Sequence, residues 1–149
     1  MRRILTQRLG VILIASTLWS APVNAGDEGL AVRIHGISAP EGLLMVALEN
    51  EAGAYDNGPL EKAAYRGEVV KAEATSMTVI FPGIPQGTYA VKAFHDANGN
   101  LTLDKNLFGI PTENYGFSNN ARGTFGPARF EDARFTYAGG NMIVEIGLK

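Results

Sequence analysis

The densest chemistry in the chain lies in Asp96-Ala97-Asn98-Gly99-Asn100-Leu101-Thr102-Leu103-Asp104. Side-chain oxygens recur at the first, third, fifth and ninth positions, and the Thr102 carbonyl stands at the seventh. A hard cation such as Ca²⁺ takes about six to eight oxygens, and a loop that turns every second residue inward delivers them at this spacing. Asp96, Asn98, Asn100, Thr102 and Asp104 are therefore candidate calcium ligands. The EF-hand pattern also asks for glycine at the sixth position and a bidentate acid at the twelfth, where this chain has Leu101 and Leu107. Glu113 is the nearest acid able to complete the set. With two carboxylates in the spacing, the expected affinity is modest, about 10⁻⁴–10⁻³ M as in extracellular modules. The competing reading is a surface turn whose Asn and Asp side chains cap their own backbone.

Other reactive residues are sparse. His35 falls on the polar face of an alternating segment and reads as a surface residue. His95 adjoins Asp96, and the simplest expectation for it is structural. A hydrolase would need His95, Glu113 and Asp96 around one reacting atom. None of Ser38, Ser76 and Ser118 lies in a nucleophile elbow, and no glycine-rich loop reads as a phosphate cradle. Gly139-Gly140-Asn141 precedes a strand and reads as a hairpin turn.

The frame that must carry the Asp96 loop is built of short strands. Leu30, Val32 and Ile34 alternate with Ala31, Arg33 and His35, a period of two with one buried face. LLMVALEN after Gly42 is apolar almost throughout and reads as a central strand. Tyr55 to Pro59 reads as a turn, with Pro59 opening a short helix through Ala64. Strands follow over residues 67–74 and 75–81, the second with Met77, Val79 and Phe81 on one face. Pro82 to Gly87 is a turn, and residues 88–94 put Tyr89, Val91 and Ala93 on alternate positions. At the C-terminus Met142, Val144, Ile146 and Leu148 face one way, Ile143 and Glu145 the other. The expected fold is all-β: an antiparallel β-sandwich of about seven strands, transthyretin- or Ig-like, with one long irregular loop and at most short helices.

That long loop runs from Asp96 to about Phe130. An irregular stretch of this length is usually functional or packed on itself. Phe108, Tyr115, Phe117 and Phe125 are expected to form a small core of its own. The alternative is an exposed ligand surface of Tyr115, Phe117, Ser118, Asn119 and Asn120, suited to a protein or glycan partner.

The first residues read as a secretory leader. Arg2, Arg3 and Arg8 precede the apolar run Leu9 to Leu18, and Val23-Asn24-Ala25 offers small residues for cleavage. The run is shorter than the roughly 20 residues that span a bilayer. The expected division is a signal peptide at 1–25 and one β-sandwich domain at 26–149, periplasmic or secreted, with no membrane span in the mature chain. All 15 acidic residues but only 10 of the 13 basic ones lie in 26–149, a net charge of 10 − 15 = −5. That balance argues against nucleic acid and against an anionic membrane surface as partners. There is no cysteine, so neither disulfides nor thiolate chemistry are available.

Two resemblances add to this. Phe81–Phe94, FPGIPQGTYAVKAF, resembles the F-x-x-L-P-x-G-x-Y-x-V hairpin of transthyretin-like and Cna-B-like sandwiches, which speaks to fold. The longer run Gly87–Phe135 is similar to a family of small exported bacterial proteins classed as a domain of unknown function. Its three motifs, HD-x-N-x-N-G-x-L-D, G-I-P-x-E-x-Y-G-F-S-N and F-G-P-x-x-F-x-D-A, correspond to His95–Asp104, Gly109–Asn119 and Phe125–Ala133, with Leu101 in place of the usual glycine. The resemblance implies export and a β-sandwich, and no reaction. The functional expectation is a non-enzymatic exported protein whose calcium loop orders a binding surface. Its rivals are an ion-free structural module of the envelope and a hydrolase using His95 and Glu113.

Overall fold

The computed structural model describes residues 29–149; the leader read at 1–25 lies outside them. Two sheets pack face to face. The first holds β1 (Gly29–His35) between β4 (Ser76–Pro82) and β8 (Met142–Gly147). The second runs β3 (Arg66–Lys71), β2 (Leu43–Glu49), β5 (Gly87–Asp96), β6 (Tyr115–Phe117). A short β7 (Phe135–Tyr137) shares the outer edge of β5 with β6: β6 pairs at 92–94 and β7 at 87–89. The chain is thus an all-β sandwich of about eight strands. One pairing departs from the antiparallel expectation, since β1 and β8 run parallel, with Val32 opposite Val144 and Ile34 opposite Ile146. The first and last strands lie side by side, which no hairpin could achieve.

The period-two pattern explains the core. Leu30, Val32 and Ile34 meet Phe81, Val79, Val144 and Ile146 from their own sheet and Leu44, Val46, Leu48, Tyr89, Val91 and Ala93 from the other. The alternation fails in β2 and β5 because both strands are covered on both sides. Their second faces bear a layer made of α1 (Ala52–Asn57), α2 (Phe130–Ala133) and the long loop, with Tyr55, Phe117 and Phe130 packed over Ala90. Met45, Phe94 and Leu103 form a further buried cluster.

Three turn readings need correction. The helix lies at Ala52–Asn57 rather than 59–64, because Tyr55 must reach the core while Pro59 and Gly58 turn the chain. Residues 82–87 join β4 of one sheet to β5 of the other, so the Pro85 turn is a corner rather than a hairpin. The Tyr89 hydroxyl closes it by donating to the Pro85 carbonyl at 2.8 Å. Gly139-Gly140 likewise crosses between sheets, from β7 to β8. At the far edge the sheets meet, as the Tyr115 and Lys149 backbones exchange hydrogen bonds at 3.2 and 3.1 Å. Gly116 permits that approach: a side chain there would strike the Gly147 carbonyl and Ile146.

Candidate functional site

β5 ends on Asp96, and the loop begins from that fixed point. Leu43 of β2 is its cross-strand partner, and its side chain is wholly buried. The Asp96 carboxylate accepts the backbone N–H groups of Gly99 at 2.8 Å, Asn100 at 3.1 Å and Leu101 at 2.7 Å. One carboxylate therefore winds the next five residues around itself, as the alternation of oxygens requires. Leu101 sits at φ 63°, the left-handed region where glycine is at ease and a leucine costs about 1–2 kcal/mol. Its N–H bond to Asp96 holds it there. Leu103 is buried and anchors the loop on Met45 and Phe94.

The amide nitrogens of Asn98 and Asn100 converge on the Asp104 carboxylate. Asn98 donates its amide to Oδ2 of Asp104 at 2.7 Å, and Asn100 donates to Oδ1 at 3.1 Å. The Asn98 and Asn100 amide oxygens meanwhile accept the N–H groups of Asn100 and Thr102 at 3.0 and 2.9 Å. Glu113 stands at the neck, where its two oxygens accept the N–H groups of Ala97 at 2.9 Å and Asp104 at 3.0 Å. It clamps the two ends of the loop together. The structure thus brings Asp96, Asn98, Asn100, Asp104 and Glu113 into one hydrogen-bonded cluster. Among the described residues, no three His, Cys, Asp or Glu side chains form a group able to hold a metal by themselves. A cation here would depend on amide and carbonyl oxygens beside the two aspartates.

The other expected site residues divide. Phe117 and Ser118 are buried and cannot meet a ligand. Phe117 packs edge-on against Tyr115 at 5.7 Å between ring centres. The Ser118 hydroxyl accepts the Val91 N–H at 2.8 Å and donates to the Ala133 carbonyl at 2.6 Å, tying α2 to β5. Tyr115 is half-buried, whereas Asn119 and Asn120 are exposed. Even these two are engaged: Asn119 donates to the Arg134 carbonyl at 2.9 Å, and Asn120 accepts the Gly147 N–H at 2.7 Å. The expected small aromatic core also splits, for Tyr115 and Phe117 are inside while Phe108 and Phe125 stand out in solvent.

His35 is exposed, as its place in the alternation implies, with Nδ1 at 2.9 Å from the Ser76 hydroxyl. His95 is buried. Its Nε2 donates to the Glu41 carbonyl at 2.7 Å and its Nδ1 accepts the Ser38 hydroxyl at 2.8 Å.

A polar cluster was missed. Lys92 and Glu49 are buried on the second face of the large sheet, 4.0 Å apart. Glu49 accepts the N–H groups of Ala64 and Tyr65 at 2.8 and 3.2 Å. The Lys92 ammonium reaches the carbonyls of Tyr55, Gly58 and Pro59, each at 3.4 Å, and lies 5.2 Å from the Tyr55 ring centre. Burial lowers the Lys92 pKa, against the opposing pull of Glu49, Glu61 and Asp56. A hollow of about 210 Å³ beside it is lined by Tyr55, Asp56, Lys92, Phe117 and Arg129 among others. The signal was there to read: one lysine inside the apolar run YAVKAF, and one acid ending LLMVALE.

No curated protein and no solved structure matches this chain. A family model does, over residues 32–145, which takes in both sheets and the Asp96 loop. The chain belongs to the family described as "Uncharacterized protein conserved in bacteria (DUF2141)".

Proposed function

We propose that this is an exported, non-enzymatic β-sandwich protein whose Asp96–Asp104 loop binds calcium. One observation carries the reading: the Asn98 and Asn100 side chains and Asp104 converge within the coil that Asp96 winds. Rotating either amide end for end exchanges a donor for an acceptor at the same place. A divalent ion there would meet both aspartates, two amide oxygens and a loop carbonyl, with Glu113 holding the ends rather than ligating. The ion would relieve the crowding of negative charge inside a loop whose backbone is already wound.

Support for a non-enzymatic role comes from the engagement of His95 and Glu113. Both ring nitrogens of the one and both oxygens of the other are spent on hydrogen bonds within the fold. The leader at 1–25 supports export. The second reading, an ion-free structural module, is favoured by one specific fact. The Asp104 carboxylate already has an amide donor on each oxygen, so the loop closes without a cation.

Titration calorimetry with CaCl₂ and melting with and without EDTA decide between them. With a Kd of about 10⁻³–10⁻⁴ M, 10 mM calcium stabilises the fold by about 1.4–2.7 kcal/mol. Asp104→Asn should abolish both the heat and the shift in melting temperature. No heat and an unmoved midpoint for the wild type at 10 mM would leave the ion-free module.

A further inference from the structure

An asparagine followed by glycine carries an electrophile and a nucleophile in one short stretch of chain. The next backbone nitrogen can close on the side-chain carbonyl carbon as a five-membered ring, and glycine has no Cβ to hinder it. Two asparagines of the chain stand before glycine, Asn57 and Asn98. The fold treats them differently. Asn57 is the last residue of α1, and helical side chains lean back toward the helix N-terminus. Its amide accordingly donates to the Gly53 carbonyl at 2.9 Å, four residues back and away from the Gly58 nitrogen. The Gly58 N–H is itself tied to the Ala54 carbonyl at 2.9 Å. Ring closure at Asn57 would require the end of α1 to unwind.

Asn98 is folded the other way. Its side-chain oxygen accepts the Asn100 N–H at 3.0 Å, which lays the amide forward over the Gly99 peptide and polarises its carbonyl. The Gly99 N–H meets a carboxylate, Oδ1 of Asp96, at 2.8 Å. The amide nitrogen of Asn98, the group that would leave, lies 2.7 Å from Oδ2 of Asp104. Both residues are exposed, and nothing stands within 4 Å of the place a Gly99 Cβ would take. Nucleophile, electrophile and leaving group are thus each held by a separate partner, in reach of water.

We propose that Asn98 is a self-modifying site, at which the Gly99 nitrogen displaces the side-chain amide and the loop acquires a further carboxylate. The Gly99 nitrogen bonds to Cγ of Asn98 as its proton passes to the Asp96 carboxylate. That proton returns through solvent to Nδ2, the Cγ–Nδ2 bond breaks, and ammonia leaves. Water then adds to either carbonyl of the cyclic imide, and ring opening gives aspartate or its β-linked isomer. The product changes the loop. Where Asn98 donated to Asp104, two carboxylates now face each other, and like charges at that distance repel. Closure without a cation is lost, and a third carboxylate joins Asp96 and Asp104. The ring closure stands without calcium; only the increased demand for the ion rests on the calcium reading.

The full chain would be held at pH 8.5 and 37 °C in EDTA, folded in one sample and in 8 M urea in another, and followed by peptide mass mapping. In the folded sample the amide-to-acid mass gain should appear at Asn98 at least tenfold faster than at Asn57. In urea, where helix and turn are gone, the two rates should draw together. Gly99→Ala, whose methyl group meets open space but shields the nitrogen, should slow the gain at Asn98 at least fivefold. An unchanged Asn98, or an Asn57 that converts as fast in the folded chain, overturns the proposal. Asn98→Asp supplies the product directly. It should melt below the wild type in EDTA and gain more than the wild type from 10 mM calcium. Equal melting in EDTA overturns the claim that conversion opens the loop. A lowered melting point that calcium does not mend removes the ion and leaves the modification standing.

Discussion

The two faces of β5 solve the same packing problem with different materials. Tyr89, Val91 and Ala93 look into a core of aliphatic and aromatic side chains shared by both sheets. Ala90, Lys92 and Phe94 look the other way, into a layer where an ammonium, a carboxylate, a serine hydroxyl and a phenol are buried among aromatic rings. The dry face gains from area removed from water and tolerates any arrangement that fills the volume. The wet face gains little net free energy from its hydrogen bonds, but each polar group accepts only partners in the right place. What the difference teaches is a division of labour: the dry face supplies stability, and the wet face fixes where α1, α2 and the loops sit.

The largest effects would test that division directly. Phe81→Ala, on the dry face, should cost about 3–5 kcal/mol through lost burial and the cavity left behind. Glu49→Ala, on the wet face, should cost a similar 3–5 kcal/mol, because it strands the Lys92 charge in a buried site. The two losses differ in what repairs them. Adding Lys92→Met to Glu49→Ala should restore part of the stability in a denaturant titration, since no buried charge then remains. The residual loss belongs to the Ala64 and Tyr65 N–H groups that Glu49 no longer serves. If the double variant is no more stable than Glu49→Ala, the pair does more than balance itself.

An intermediate effect belongs to the clasp between the faces. Ser118→Ala removes a hydroxyl that serves the Val91 N–H and the Ala133 carbonyl together, both of them buried. Leaving them unpaired should cost about 1–3 kcal/mol. Proteolysis within 119–134 should rise more than the global loss explains, because α2 is held to β5 at this point. Unchanged cleavage there would mean that α2 docks by apolar contact alone.

This asymmetry also explains what the sequence could reveal. The dry face was legible because it obeys a period of two: Leu30, Val32 and Ile34, Met77, Val79 and Phe81, and Met142, Val144, Ile146 and Leu148 all read directly as strands. On the wet face only Lys92 and Glu49 stand out, as charges in apolar runs, and their partners do not, because they come from irregular chain. Nothing local says that Ser118 will meet Val91, or that Asn57-Gly58-Pro59 will bring carbonyls to Lys92. The Asp96 loop lies between these cases. Its bonds from Asp96 to Asp104 span two to six residues, so the spacing of Asp and Asn already offered a turn whose side chains cap their own backbone, and the Asp96, Asn98 and Asn100 oxygens do so. Glu113, nine residues beyond Asp104, joins the same neighbourhood through the Ala97 and Asp104 N–H groups, bonds that no local spacing announces. Aromatic residues in a loop look alike in sequence, whether they pack as Phe117 does or project as Phe108 and Phe125 do. Only the folded chain separates them.

The smallest effect concerns a hydroxyl that the wet face leaves unserved. The Tyr55 Oη is buried with no hydrogen-bond partner among the described residues, while its ring packs on Phe117 and Phe130 at 6.2 and 5.7 Å. Removing it should cost nothing and return part of an unpaid desolvation, so Tyr55→Phe should hold or raise stability by up to about 1 kcal/mol. The same residue sets a pH dependence. Burial, then the nearby Asp56 and Asp132, raise the Tyr55 pKa above its ordinary 10.0, and burial followed by the Tyr65 hydrogen bond pushes Tyr89 up to about 12. Above pH 10 the unfolded chain releases phenolic protons that the folded chain keeps, so stability is complete below pH 10 and falls as pH rises through the folded values. Lys92 acts in the opposite sense, but its lowered pKa confines that contribution to pH below about 10.5. Denaturant titrations at pH 9, 10 and 11 should therefore show a loss that is smaller in Tyr55→Phe than in the wild type. A variant that is markedly less stable at pH 7, or that loses stability with pH as steeply as its parent, would mean that the hydroxyl has found a partner and that the wet face is satisfied throughout.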